Sequence, residues 1–327
     1  MDVLWVSESG VARRRPEDLP SLVAEDRGFA WVDIAEWDDE AARLLSETFG
    51  FHPMAIRECA QRSHVPKIHA YPDHVFLVLH DAEPGQAGHV HLLELDQFVG
   101  RRYLVTVHGP LGEGVAVESA LQETSAVRDR MEAGRFTPST PAELSHAIVS
   151  RIGRSLETRV WALATRIAGL ERETLTGKPK DPEKFLESLF QVRHELLSIK
   201  TIAAQGREVF ARMAALTRSV PPGDPSLIVD TIDQYERLRG LCEEEKEYLQ
   251  GVLDFFQSRT TTKMNIAMER LALIAAVLLP VTAVASIYGM NIIVSEDTRL
   301  LHLGIVLVLI AAVCGVMLAW AKRHEWW

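Results

Sequence analysis

The chain has 327 residues, of which 35 are Lys or Arg and 45 are Asp or Glu, so its net charge is -10. Hydrophobic residues make up 47% and charged residues 24%, a globular composition that excludes disorder of the whole chain. The acidic balance is a poor match to a nucleic-acid backbone, so no nucleic-acid partner is expected, and divalent cations suit it better. Cys59, Cys242 and Cys314 stand far apart without a CxxC spacing, which predicts reduced thiols.

The first 141 residues are predicted to form an α+β cytoplasmic domain. No long apolar core follows a basic stretch at the N-terminus, so a cleaved secretory signal is not expected. A helix is predicted over residues 38–49. Runs of β-branched and aromatic residues predict strands at 29–34, 75–79, 91–99 and 103–107.

Long helical stretches follow, and they predict a helical cytoplasmic subdomain over residues 142–225. Its helices are expected at Ala142–Leu175 and Pro182–Thr217. After Pro225 the next proline is Pro280, and Asp224 or Ser226 is a credible N-cap. A single stalk helix of about 60 residues, about 90 Å long, is therefore predicted from residue 226 to 288, where it becomes the first membrane span.

Two uncharged apolar runs lie near the C-terminus, Leu271–Tyr288 and Leu303–Ala321. Each is long enough to cross a bilayer as a helix, since about 20 residues cover about 30 Å. The alternative is a pair of buried core helices in a soluble protein. With the stalk and first transmembrane helix ending at residue 288 and the second transmembrane helix at 303–321, residues 289–302 form an external loop.

The charges that flank the two runs predict the orientation. Lys263 and Arg270 precede the first run, and Lys322 and Arg323 stand in a basic tail over residues 322–327. The loop carries Glu296, Asp297 and one Arg. The positive-inside rule then places both termini in the cytoplasm, with the protein in the inner or plasma membrane and in contact with its lipid.

One face of the stalk and first span mixes apolar, small and polar side chains. Two helices cannot enclose a pore, so an ion path would need several copies of the chain. The opposite interpretation is helix packing, because small residues also stand where membrane helices touch. The positions that share this face by three- and four-residue spacing are Asp254, Thr261, Asn265, Met268, Leu271, Ala275, Leu279, Thr282 and Ser286.

The first span ends in Tyr288-Gly289-Met290-Asn291. With this motif the chain resembles the CorA-type family of divalent metal ion transporters, whose hallmark is Gly-Met-Asn at the end of the first of two C-terminal membrane helices. The resemblance includes Pro280, Phe49-Gly50-Phe51-His52-Pro53 and Val65-Pro66-Lys67, so it extends over most of the chain.

The resemblance implies a homopentamer with a funnel-shaped cytoplasmic region, long stalk helices and five first spans around a pore. Gly289, Met290 and Asn291 would form the external selectivity ring, and Asn265, Met268, Leu271, Leu279 and Thr282 would line the conduit, with Asp254 near its cytoplasmic mouth. Regulatory metal between neighbouring subunits would be held by Glu58 and Asp230, with Asp233 nearby. The expected ion, both transported and regulatory, is Mg²⁺.

The chemistry of the ring agrees with that ion. Mg²⁺ gives up its water reluctantly, so neutral amide oxygens can hold the hydrated ion and still release it. Glu296 and Asp297 in the external loop would raise the local cation concentration.

Two departures from the family pattern leave alternatives open. The loop reads Ile292-Ile293-Val294-Ser295-Glu296-Asp297-Thr298 where magnesium members commonly carry Met-Pro-Glu-Leu, so Zn²⁺, Co²⁺ or Ni²⁺ remain candidate substrates. Arg57-Glu58 replaces an acidic pair, so regulatory binding is expected to be weaker.

Other functions weighed against transport are a metal sensor, a zinc site and an enzyme. In the first, the membrane helices only anchor the protein and no ion passes. No GxSxG, P-loop, HExxH or GxGxxG motif stands in the sequence, so an enzyme is not expected. Imidazole ligands for Zn²⁺ would come from His64, His69, His74, His80, His89 and His91.

Overall fold

The computed structural model describes residues 1–25, 27–85, 88–112, 114–176, 181–216, 224–289 and 300–323. The Met290, Asn291, Glu296 and Asp297 positions lie outside this range. Two compact units make up the chain, Met1–Val252 and Leu253–Trp327. The division between them falls inside one long helix, and the finer domain boundaries at residues 141 and 225 stay predictions.

A seven-stranded mixed sheet forms the centre of the first unit, in the order β2-β1-β3-β7-β6-β5-β4. The pair β3 and β7 is parallel and the other neighbours are antiparallel. The strands are β1 Asp2–Ser7, β2 Gly10–Arg14, β3 Phe29–Ile34, β4 Lys67–Ala70, β5 His74–Pro84, β6 Val90–Gly100 and β7 Tyr103–His108.

The four strands expected from the sequence are therefore present, and three more were missed. Both edge strands, β2 and β4, are short and expose much of their surface. With five and four residues, these strands are too short for an apolar pattern to identify them, and pairing with β1 and β5 supplies the missing stabilisation.

Three short helices cover one face of the sheet, and their apolar side chains complete a core with β-strand residues such as Val32, Phe98 and Val105. They are α1 Leu19–Ala24, α2 Asp39–Arg43, which continues as a π-helical turn over Leu44–Thr48, and α3 Pro53–Ala60. The helix expected over residues 38–49 is thus confirmed, with the Asp38 carboxylate accepting from the Ala41 amide as its N-cap.

The longer helices are α4 Val117–Glu132, α5 Pro141–Thr176, α6 Pro182–Leu216 and α7 Pro225–Gly289. Helices α5 and α6 pack on each other and contact β5 and β6. The Asp224 carboxylate accepts from the Ser226 amide and hydroxyl at 2.9 and 2.7 Å, so Asp224 is the cap of α7. The single helix expected after Pro225 is present, and it continues past Pro280.

The second unit contains the C-terminal part of α7 and the last helix, α8 Leu300–Arg323. In the described part of the chain, α7 is the one helix long and apolar enough to cross a membrane, and the apolar stretch of α8, Gly304–Met317, is shorter than such a span. Large apolar side chains of both helices are exposed, among them Leu279, Ile287 and Val308.

Candidate functional site

The predicted conduit positions occupy one face of α7. All nine are exposed in the single chain, including Met268 at 52%, Leu271 at 65% and Leu279 at 68% of their surface. The Thr282 hydroxyl donates to the Leu278 carbonyl at 2.8 Å, so its oxygen lone pairs stay available as acceptors. Exposure alone does not distinguish this face, because Ile274 and other residues around the helix are exposed too.

The ends of the two apolar helices carry the remaining membrane-side predictions. Gly289 is the last residue of α7, whereas the Met290 and Asn291 positions of the expected ring lie beyond the described residues. Lys322 and Arg323 stand in the last turn of α8, where positive charge stabilises the helix dipole.

Glu58 projects from α3 toward β4. The helix begins at Pro53 after His52, whose Nδ1 accepts from the Met54 amide at 3.2 Å. Lys67 Nζ lies 3.2 Å from Glu58 Oε1, and His69 Nε2 lies 3.9 Å from Oε2. Within the described residues Oε2 has no hydrogen-bond partner. A cation bound by Glu58 would therefore compete with the Lys67 ammonium for the carboxylate.

Asp230 lies near the start of α7 and is also paired within the chain. Its Oδ2 accepts from Gln234 Nε2 at 2.6 Å and lies 3.2 Å from His146 Nε2 of α5. Burial lowers the pKa of His146, and the Asp230 charge partly opposes that shift. Asp233 is exposed on the next part of the same helix.

The described residues of a single chain do not assemble a metal centre of the usual kind. Nowhere among them do three His, Cys, Asp or Glu side chains converge to hold an ion. The six histidines noted in the sequence fall into separate places: His69 lies 3.9 Å from Glu58 and His74 lies 2.8 Å from Asp73. His89 and His91 form a T-shaped pair, and His64 and His80 line one cavity. A zinc site with three or more such side chains is thus wrong for this part of the chain.

Sequence reasoning missed a pair of buried acids on β6 beneath α3. Glu94 Oε2 accepts from the Ser63 amide at 2.5 Å, and burial raises the pKa of Glu94 to about 7. Burial, with Glu94 as neighbour, also raises the pKa of Asp96, which is fully buried beside the Cys59 thiol. The sequence carried a signal for this pair, because Glu94 and Asp96 stand two residues apart in a strand that is otherwise mostly apolar and is buried on both faces.

These features define a class of protein with a mixed α/β sheet and long helices, in which an apolar helix long enough to cross a membrane ends at Gly289. The family model described as CorA-like Mg²⁺ transporter protein matches residues 26–323. The chain belongs to this family and is a CorA-like transporter of divalent cations.

Individual relatives agree with this assignment over nearly the whole chain. The protein YfjQ of Bacillus subtilis (strain 168) is 24% identical over 304 residues, 92% of this chain and 91% of its own. The cobalt/magnesium transport protein CorA of Thermotoga maritima is 22% identical over 305 residues, which cover 90% and 83% of the two chains.

A solved structure shows the same fold. The complete structure of the CorA magnesium transporter from Methanocaldococcus jannaschii covers 100% of this chain and 99% of its own, with a TM-score of 0.82 at 16% identity. The predicted family, fold class and divalent-cation transport are therefore confirmed.

Proposed function

We propose that the protein is a channel-type Mg²⁺ transporter that works as a homopentamer in the plasma membrane, with both termini in the cytoplasm. The observation that carries this proposal is the continuity of α7 from Pro225 to Gly289, with Asn265, Thr282 and Ser286 on the same face as the apolar gate positions. A helix that only anchors a protein in lipid does not need polar groups along one face, because each costs free energy there.

Five copies of this face would enclose the conduit. Met268, Leu271 and Leu279 would form the apolar constriction that closes it, and Asp254 would attract cations at the cytoplasmic mouth. At the outer end, Asn291 with Gly289 and Met290 would bind the ion through its water shell, because amide oxygens hold hydrated Mg²⁺ without the strong charge of a carboxylate ring. Glu296 and Asp297 would concentrate cations near this ring.

Regulation is proposed to use Glu58 of one subunit and Asp230, with Asp233, of the next. Glu58 is already paired with Lys67 of its own chain, and Asp230 is paired with His146. Bound metal would replace part of these contacts and favour the closed state. At low cytoplasmic metal the acidic faces would repel each other and the stalks would move apart. Imported metal would refill the sites and close the conduit, so it would limit further uptake.

Ion flux into liposomes tests the transport proposal. Mg²⁺, Zn²⁺ and Co²⁺ are offered separately to the wild type, to Asn291→Ala and to the matched loop control Ser295→Ala. Mg²⁺ uptake that Asn291→Ala abolishes and Ser295→Ala retains would support the ring. Uptake of Zn²⁺ or Co²⁺ without Mg²⁺ would support the conduit but change the transported ion. These ions are the second candidate substrates because the loop sequence over residues 292–298 departs from that of magnesium members. No flux of any ion would favour the metal sensor.

Metal sensitivity tests the regulatory residues. The double variant Glu58→Ala, Asp230→Ala is expected to keep conducting when Mg²⁺ is added on the cytoplasmic side, because the inter-subunit ligands are gone. Glu40 and Glu118 are exposed carboxylates on α2 and α4, so Glu40→Ala, Glu118→Ala removes the same charge and should close like the wild type. Unchanged closure in the first double variant would sink the assignment.

A further inference from the structure

A cavity of about 290 Å³ lies between α6 and the part of the sheet formed by β5 and β6. Its polar lining consists of His64, His80, Ser198, Thr201 and Gln205, and apolar side chains of β6 and α6 complete its walls. None of these residues belongs to the proposed conduit or to the proposed regulatory pair. The cavity is therefore a separate feature of the first unit.

His80 lines this cavity, and one of its two ring nitrogens has no hydrogen-bond partner among the described residues. Its side chain is 98% buried, with 2% exposed, and Nε2 lies 2.7 Å from the Ser63 carbonyl oxygen. A carbonyl only accepts, so Nε2 carries the hydrogen and Nδ1 keeps its lone pair. Across the described residues, Nδ1 has no hydrogen-bond partner.

The protonation state of His80 favours a ligand that takes this lone pair. Burial lowers the pKa of His80, and the nearby Arg62 charge acts in the same direction, against the hydrogen bond to Ser63. The imidazole is thus neutral near pH 7. A neutral imidazole with an unpartnered nitrogen has the lone pair that a metal ion needs.

The groups around His80 are acceptors as well. The Ser198 hydroxyl donates to the His194 carbonyl at 3.0 Å and the Thr201 hydroxyl donates to the Leu197 carbonyl at 2.8 Å, so each oxygen offers lone pairs to other groups. Glu94 stands directly opposite His80 in the register of β5 and β6, on the same face of the sheet. Its Oε1 has no hydrogen-bond partner in the described part of the chain.

A lining rich in acceptors next to a buried carboxylate suits a cation. Arg62 is also close and its guanidinium donates to the Leu92 carbonyl at 3.1 Å, so its charge opposes that of a bound ion. The Glu94 carboxylate offsets this repulsion when it is ionised. Imidazole nitrogen favours Zn²⁺, Ni²⁺ and related ions, whereas Mg²⁺ takes oxygen ligands and keeps its water.

We propose that this cavity binds a divalent cation that prefers imidazole, of the Zn²⁺, Co²⁺ and Ni²⁺ class, through His80 Nδ1 and the His64 imidazole. Two imidazoles leave coordination positions for water and for the oxygens of Ser198, Thr201 and Gln205, so the site is an open one rather than a closed structural zinc centre. The site is independent of the conduit and distinguishes transition-metal ions from the proposed cargo.

Co²⁺ absorption tests the site in the full-length, tag-free protein in detergent, because ligation by imidazole changes the visible spectrum of the ion. We expect a saturable signal that Zn²⁺ displaces and that excess Mg²⁺ leaves in place. His64→Gln and His80→Gln should each weaken Co²⁺ binding by about tenfold or more, since each removes a ligand. His64 is exposed, so its variant keeps the fold even if the buried His80→Gln does not.

His89→Gln is the matched control, because His89 is an exposed histidine outside the cavity. Retention of the signal in this variant supports the site. Wild-type protein without a saturable signal, a signal that survives His64→Gln, or one that His89→Gln also removes would each overturn the proposal. Mg²⁺ flux is measured on the same preparations, so loss of transport and loss of Co²⁺ binding are separable results.

Discussion

Asp33 lies at the centre of a buried polar network between β3, β7 and α4. Its Oδ1 accepts from the Thr106 hydroxyl at 2.6 Å and contacts His108 Nε2 at 3.1 Å, while Arg128 Nη1 lies 3.6 Å from Oδ2. Trp31 Nε1 donates in turn to Thr106 Oγ1 at 3.1 Å. Arg128 Nη1 also lies 2.6 Å from Asp2 Oδ2 of β1, and the Thr124 hydroxyl of α4 contacts His108 Nε2, so Asp33 belongs to a shared network that connects the sheet to α4.

We expect Asp33→Asn to lower the free energy of unfolding of the first unit by about 2 kcal/mol, because the buried contacts with Thr106 and His108 lose a charged acceptor while Arg128 keeps Asp2 as a partner. Urea unfolding followed by tryptophan fluorescence measures the change. The exposed Asp129 of α4 provides the control, and Asp129→Asn should stay within about 0.5 kcal/mol of the wild type.

The same carboxylate makes stability sensitive to acid. Burial opposes its ionisation, but His108, Thr106 and Arg128 together outweigh burial and lower the pKa of Asp33 below its ordinary 3.8. The stabilisation is complete above about pH 3.8 and is lost as the pH falls through the lower value of the folded protein. The melting temperature of Asp33→Asn should therefore change less between pH 2 and 6 than that of the wild type. Parallel changes of the two melting temperatures with pH would contradict this account.

At the scale of helices, α6 and α7 approach closely where a glycine meets an aromatic ring. A methyl group at Gly206 would lie 2.8 Å from the ring of Tyr235, which is 2% exposed. Ion pairs join the same two helices: Arg207 with Glu236 at 2.9 Å, and Lys200 with Glu243. The absence of a side chain at residue 206 thus sets the spacing of the two helices in this region.

Gly206→Ala is expected to destabilise the first unit by about 1 to 3 kcal/mol, since overpacking outweighs the gain of about 1 kcal/mol in helix propensity. Gly169 of α5 has open space around it. Gly169→Ala should therefore stabilise the protein by up to about 1 kcal/mol. Thermal unfolding of both variants checks this, and equal shifts of the same sign would show that Tyr235 does not limit the packing.

At the scale of the whole molecule, two apolar helices near the C-terminus predict that both chain ends lie on one side of the membrane. A membrane-impermeant maleimide should label Thr298→Cys in intact cells, and Glu8→Cys only after the membrane is opened. The wild type is the background control, since Cys59 and Cys242 are buried and the partly buried Cys314 lies within the apolar stretch of α8. Labelling of both positions from outside would contradict the proposed topology.

Much of this protein was determined by its sequence alone. Local patterns predicted β3, β5, β6 and β7, the capped start of α7 and its unbroken course, because apolar periodicity and proline spacing act over short distances. The Gly-Met-Asn motif at residues 289–291, in its setting after a long apolar helix, was sufficient for the family. The negative net charge argued against a nucleic-acid partner, and the lack of the common enzyme motifs argued against an enzyme.

Only the tertiary structure decided which polar side chains meet. The parallel pair of β3 and β7 joins strands that are distant in sequence, and the contact of Glu58 on α3 with Lys67 on β4 arises only where these elements pack together. Nothing in the order of residues distinguishes His80, with one buried nitrogen unused, from the other histidines. Burial and unsatisfied lone pairs arise when separate elements pack together, so these properties belong to the fold and not to any local pattern.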